Sequence, residues 1–246
     1  MNNKDLIKQY VDTGVGIPEY QFNQLSGADK KTYLRKIELS LEYDFDNVEY
    51  YYGVFPEETQ LKIIKKSPSY FRYLKNPTEK AQFLAIKEDD YSIRFIKNPS
   101  YEIQLEAIKD GPDSIRFIEN PSKEIQMIAV KERGTAIQYI ENPSDEIKLA
   151  AINQDPHCLG FIKNPSEYFQ KLAITKNGYV IQDIDNPSEE LQMIAVKSVG
   201  LCIKYIKNPS EEVQLAAVEE DGKAIQYIKN PTERVMMLYR QLRDEQ

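Results

Sequence analysis

Residues 209–230 read PSEEVQLAAVEEDGKAIQYIKN, and this 22-residue stretch decides the fold. Its last residue, Asn230, meets Pro231, and its first, Pro209, follows Asn208. The same Asn-Pro junction occurs at Asn76-Pro77, Asn98-Pro99, Asn120-Pro121, Asn142-Pro143, Asn164-Pro165 and Asn186-Pro187, each step being 22 residues. Seven full copies therefore run from Pro77 to Asn230. They are numbered one to seven below, with proline as position 1 of each. A degenerate copy begins at Pro56, one residue out of register, and a truncated one runs from Pro231 to Gln246. A fixed period of this length marks a stacked-repeat architecture.

Each feature of the copy has a local reading. Asn208 suits a helix N-cap and Pro209 the first helical position, where the missing N–H costs nothing. Glu211 then completes a capping-box-like start, as Glu79, Asp145, Glu167 and Glu189 do elsewhere. The helix is expected to reach about Glu220, with Gly222 ending it, as Gly134, Gly178 and Gly200 would in their copies. A shorter second helix over 224–229, with 3₁₀ character, leads to the next Asn-Pro. Neither helix can bury its apolar face alone, so neighbours must stack. The fold class is an all-α solenoid of about eight two-helix repeats over 56–246, preceded by a helical capping module over 1–55.

The run AIQYIKNPSEEVQLAAV (224–230 and 209–218 in register) resembles helical repeats of unknown function in bacterial and phage proteins. The Asn-Pro-headed unit is also similar to the leucine-rich variant repeat, which alternates α and 3₁₀ helices. The resemblance covers 56–246 and implies a fold, with no activity attached.

On a helical wheel, positions 5, 6, 7, 9 and 10 form the buried arc. Position 9 is alanine in all seven copies (Ala85, Ala107, Ala129, Ala151, Ala173, Ala195, Ala217), which calls for close helix approach. Position 6 is Gln82, Gln104, Gln126, Gln170, Gln192 and Gln214, with Lys148 the exception. Buried amides need partners, and carbonyls of the loops between copies are the expected ones. Position 19 is aromatic except for Asp183. The outer face carries acids at position 4, lysines at position 11 and an often apolar position 8.

The chain has 32 Lys and Arg against 39 Asp and Glu, a net charge of −7. That balance argues against a nucleic-acid partner, whose phosphates need cations, and favours a protein partner with a basic surface. MNNKDLIKQY lacks the apolar core of a signal peptide, and no apolar run is long enough to span a membrane, so a cytoplasmic location is expected. With two cysteines and one histidine, no metal site, cofactor or disulfide framework is expected. No catalytic motif appears, and the chain reads as a non-enzyme. Cys158 and Cys202, both at position 16, read as small packing residues.

Because stacking explains the repeated residues, departures from the repeat are the candidate partner-binding residues. They cluster in copies four and five: His157 in the turn, Tyr168 where others carry an acid, Lys171 where others are apolar, and Asp183 where others are aromatic. Leu172 adds an apolar neighbour to Tyr168. A second candidate is the acidic aromatic stretch over 42–52, with Tyr50, Tyr51 and Tyr52 as interface anchors. The functional expectation is a protein-binding scaffold, such as a phage or mobile-element protein that binds and inhibits a host defence protein. Two alternatives stay open: a nucleic-acid-binding helical-repeat protein, and a small-ligand or hydrolytic protein with a site near His157, Lys171 and Asp183.

Overall fold

The computed structural model describes residues 19–43 and 55–244, with Lys4, Asp5 and Ile7. Among the described residues every regular element is helical and there is no strand. From Glu57 onward α-helices of ten residues alternate with 3₁₀ helices of six, ending in the helix Glu233–Asp244. Backbone packing divides the chain into two compact units, 1–120 and 121–246, with the division at the Asn120-Pro121 junction.

In the first unit the helix Gly27–Tyr43 is started by Ser26, whose hydroxyl accepts from the Asp29 N–H and donates to the Asp29 carboxylate. Ile7, Phe22, Leu25 and Tyr33 share a core with Phe55 and Ile63, so the N-terminal helices cover the apolar face of the helix Glu57–Lys66. The helices Glu79–Glu88 and Tyr101–Asp110 then stack in turn, each with its 3₁₀ partner. In the second unit the same pairing repeats from Lys123–Glu132 through Glu211–Glu220.

The buried residues follow one rule. In copy six, Leu191, Ala195 and Val196 come from the α-helix, and Cys202, Ile203 and Ile206 from the 3₁₀ segment. Side chains at positions 6 and 7 are mostly half-buried, so the core arc is narrower than the wheel implies.

Three local readings are corrected by the structure. First, the N-cap is position 2. Thr78, Ser100, Ser122, Ser144, Ser188 and Ser210 accept from the N–H three residues on at 3.2–3.4 Å. The acid that follows sits in the first helical turn, where it complements the helix dipole. The asparagines instead hold left-handed backbone: seven of them, Asn76 to Asn208, have φ between 48° and 54°. Asparagine tolerates that region better than other side-chain-bearing residues. Second, the glycines are not left-handed caps. Position 13 ends the α-helix in extended conformation, and glycine at position 14 opens the 3₁₀ helix. An added Cβ on Gly134, Gly178 or Gly200 would lie 2.5–2.6 Å from the carbonyl oxygen of Ala151, Ala195 or Ala217, the position-9 alanine one copy on. Glycine and alanine thus serve one close backbone approach. Gly222 has open space there, and the following helix carries Tyr239 where the others carry alanine. Third, the glutamine row meets the expected loop carbonyls, but those of its own copy, so it does not tie copies together. Nε2 of Gln82, Gln104, Gln126, Gln170, Gln192 and Gln214 donates to the carbonyl of its own proline at 2.9–3.0 Å. Gln60, its counterpart in the degenerate copy, also bridges copies, accepting from the Thr78 N–H at 2.9 Å.

Candidate protein-binding surface

The residues expected in copies four and five fall into two groups. His157 and Asp183 are 26 residues apart, yet Nδ1 of the imidazole lies 2.9 Å from the Asp183 carboxylate. The other ring nitrogen lies 3.1 Å from the Asn177 amide nitrogen. Asn177 accepts from the Tyr179 N–H through Oδ1, so its NH₂ faces the imidazole. Nε2 of His157 therefore accepts, and Nδ1–H donates to Asp183. Both ring nitrogens are thus engaged in contacts with the next copy.

The pair also has a place in the repeat. His157 is at position 15 of copy four and Asp183 at position 19 of copy five. The same two positions are Tyr91 and Phe117 between copies one and two, edge to face at 5.7 Å, and Tyr179 and Tyr205 between copies five and six at 6.3 Å. Two breaks in the repeat are thus one exchange of an aromatic contact for a histidine–carboxylate hydrogen bond.

Lys171 is likewise engaged. Its ammonium meets Glu190 of the next copy at 2.8 Å and Glu167 at 3.2 Å. Glu190 and then Glu167 hold its pKa above the ordinary lysine value. Similar links join Lys123 to Glu146 and Lys80 to Glu57. The position-2 hydroxyls of Ser210 and Thr232 add to this ladder by donating to Glu189 and Glu211 one copy back.

Tyr168 is different. It is 62% exposed, with its ring edge to face against Phe169 at 5.2 Å. Leu172 on the same helix is half-buried. Tyr168 thus stands out among exposed acids, Glu146 and Glu190 at the neighbouring copies' position 4 included. Tyr50, Tyr51 and Tyr52 lie outside the described residues. Cys158 and Cys202 are buried and free, and burial pushes both thiols up to about 12, with the Asp155 carboxylate adding at Cys158. Among the described residues no His, Cys, Asp and Glu cluster could hold a metal ion, and no helix is long and apolar enough to cross a membrane.

The position-19 row carries the most exposed aromatics of the 3₁₀ segments: Phe95, Phe161, Tyr205 and Tyr227. Cations lie over several of these rings. Arg94 is 4.6 Å from the Phe95 centroid, Arg116 4.6 Å from Phe117, and Lys204 4.7 Å from Tyr205. Grooves open between consecutive rings. One of about 530 Å³ lies between Tyr139 and Phe161, with Lys148 in its wall. A second of about 590 Å³ lies between Tyr205 and Tyr227, with Gln214 in the equivalent place. Sequence reasoning passed over these grooves. Their signal was present in the lysines at positions 18 and 21, Lys204, Lys207 and Lys229. No family model, no curated protein and no solved structure matches this chain.

Proposed function

We propose that this protein is a non-enzymatic scaffold that binds a protein partner. The observation that carries this reading is the set of large aromatic side chains left outside the stack. Tyr168, Phe161 and Tyr227 remain exposed although the repeat has buried positions for such groups. Exposed aromatics flanked by charge are the composition of interface anchors. The acids at position 4, Glu102, Glu124, Glu146, Glu190 and Glu212, are also exposed and suit a partner with a basic surface around Tyr168. The closed hydrogen-bond chain of His157 supports a structural role for the one histidine and so favours binding over hydrolysis. The resemblance of the repeat to those in bacterial and phage proteins makes a host defence protein, inhibited by binding, the first partner class to test.

The test is reconstitution. The tagged full chain is used to capture candidates from host lysate after nuclease treatment, and each is then purified and mixed with the chain. A stoichiometric complex by light scattering, weakened at least tenfold by Tyr168→Ala with helical content unchanged, is the expected result. Failure of every purified candidate to form such a complex, with tight salt-sensitive binding of DNA instead, overturns the reading.

A further inference from the structure

The groove between Tyr205 and Tyr227 differs in charge from the rest of the molecule. Its lining includes Lys204, Lys207 and Lys229, with Asn208 and Asn230, and contains no acid. Ile206 and Ile228 are buried beneath it, and the two tyrosines stand exposed on either side. This is a basic, aromatic-walled groove on a chain of net charge −7.

Gln214 supplies a second, independent observation. It is only 8% exposed and forms part of the groove lining. Its Nε2 donates to the Pro209 carbonyl at 3.0 Å, while its Oε1 is buried and has no hydrogen-bond partner. A buried acceptor left unpaired is costly and is commonly explained by a missing donor. The groove volume of about 590 Å³ is in the range of sites that enclose a small ligand or a few residues of chain.

We infer that this groove binds an extended, acidic segment of a partner protein. Carboxylates of the segment pair with Lys204, Lys207 and Lys229. On binding, the Gln214 amide turns so that its Oε1, buried in the free chain, accepts from a backbone N–H of the segment, and apolar parts of the segment lie against the Tyr205 and Tyr227 rings. Charge complementarity selects an anion, and the orphan acceptor selects an anion that also carries donors along its backbone. A phosphodiester backbone has none, and its dense charge is repelled by the acidic remainder of the chain. Lys204 is held over the Tyr179 and Tyr205 rings, 5.5 and 4.7 Å from their centroids, so one cation of the groove is positioned in advance. The inference rests on the scaffold reading only in that the ligand is protein, and it concerns a different surface from Tyr168.

The probe is a fluorescein-labelled peptide of alternating glutamate and glycine, titrated with the full chain and followed by anisotropy. Saturable binding is expected, falling as salt is raised. A triple variant, Lys204→Ala, Lys207→Ala and Lys229→Ala, is expected to weaken it at least tenfold, with an unchanged melting temperature. The exposed control triple Lys87→Ala, Lys131→Ala and Lys197→Ala should leave it within twofold. Replacing each glycine of the peptide by sarcosine, which removes alternate N–H donors, should weaken binding several-fold. Gln214→Met should cancel that difference between the two peptides. Absence of saturable binding, or equal affinity of the groove triple and the wild type, overturns the inference. So does tighter binding of a single-stranded oligonucleotide of equal charge, which reassigns the groove to nucleic acid. A reconstituted partner that binds the groove triple with full affinity removes the groove while leaving the scaffold standing.

Discussion

The interior of a repeat junction and its rim obey different rules. Inside, Gly178 and Gly200 meet the carbonyls of Ala195 and Ala217 at a distance no added methyl could share. At the rim, positions 15 and 19 hold two aromatic rings at one junction and a histidine–aspartate pair at another. The interior constrains volume at backbone range. The rim constrains only that two side chains meet, and half-exposed groups can meet through dispersion or through charge. Variation at the rim is therefore weak grounds for a binding site: His157, Lys171 and Asp183 are consumed by contacts between copies, whereas Tyr168 is not. The interior has its own variants. Asp90, Pro112 and Pro156 stand at position 14 in copies one, two and four, so the close approach is a property of particular junctions.

This contrast can be broken at several points. The largest effect is expected for the buried thiols. Burial takes Cys158 and Cys202 from an ordinary value near 9 to about 12, which lowers the thiolate fraction about a thousandfold at neutral pH. Iodoacetamide should label neither in the native chain and both in urea. Because the folded pKa is the higher one, their contribution to stability is intact below pH 9 and is lost as pH rises toward 12, where the unfolded chain ionises first. Rapid native labelling at pH 8 would show the interior to be open.

Next in size is the glycine contact. Gly178→Ala and Gly200→Ala should each destabilise the fold by about 1–3 kcal/mol through overpacking against backbone. Gly222→Ala, which meets nothing, should be neutral or gain about 0.4–1 kcal/mol. Equal effects in denaturant melts at all three sites would remove the close approach as their cause. The caps come third. Ser210→Ala should cost about 0.5–2 kcal/mol as a lost N-cap. Asn208→Gly, at a left-handed residue, should cost little, and Asn208→Val about 1–2 kcal/mol. A costly Asn208→Gly would point to a role for the amide itself.

The smallest effect belongs to the rim. In a double-mutant cycle, His157→Tyr and Asp183→Tyr should each destabilise slightly. The double variant should recover about 0.5–1 kcal/mol relative to their sum, as an aromatic pair replaces a partly exposed hydrogen-bonded pair. Strict additivity would mean that the two positions do not act as a unit.

Much of the fold was legible because its signals are local. Proline, glycine and alanine at fixed intervals, with isoleucine and valine between them, mark a period, a start, a close contact and a buried face, each within a few residues. The same signals misplaced the cap by two residues. Asparagine suits both an N-cap and left-handed backbone, and only the φ near 50° in the structure separates them. The exposed position of Tyr168 followed from the wheel, because an outer-face position stays outer whatever stacks behind it.

What only the tertiary structure decided are the pairings between copies. His157 with Asp183, Lys171 with Glu190, Ser210 with Glu189 and Gly178 with the Ala195 carbonyl join residues 17–26 apart in sequence. Such pairs depend on the register in which one copy lies on the next, and a register set by the summed packing of two faces has no single-residue signature. The basic groove between Tyr205 and Tyr227 is of the same kind. Its lysines, its tyrosines and the unpaired Gln214 oxygen are scattered over 204–230, and stacking alone brings them to one place.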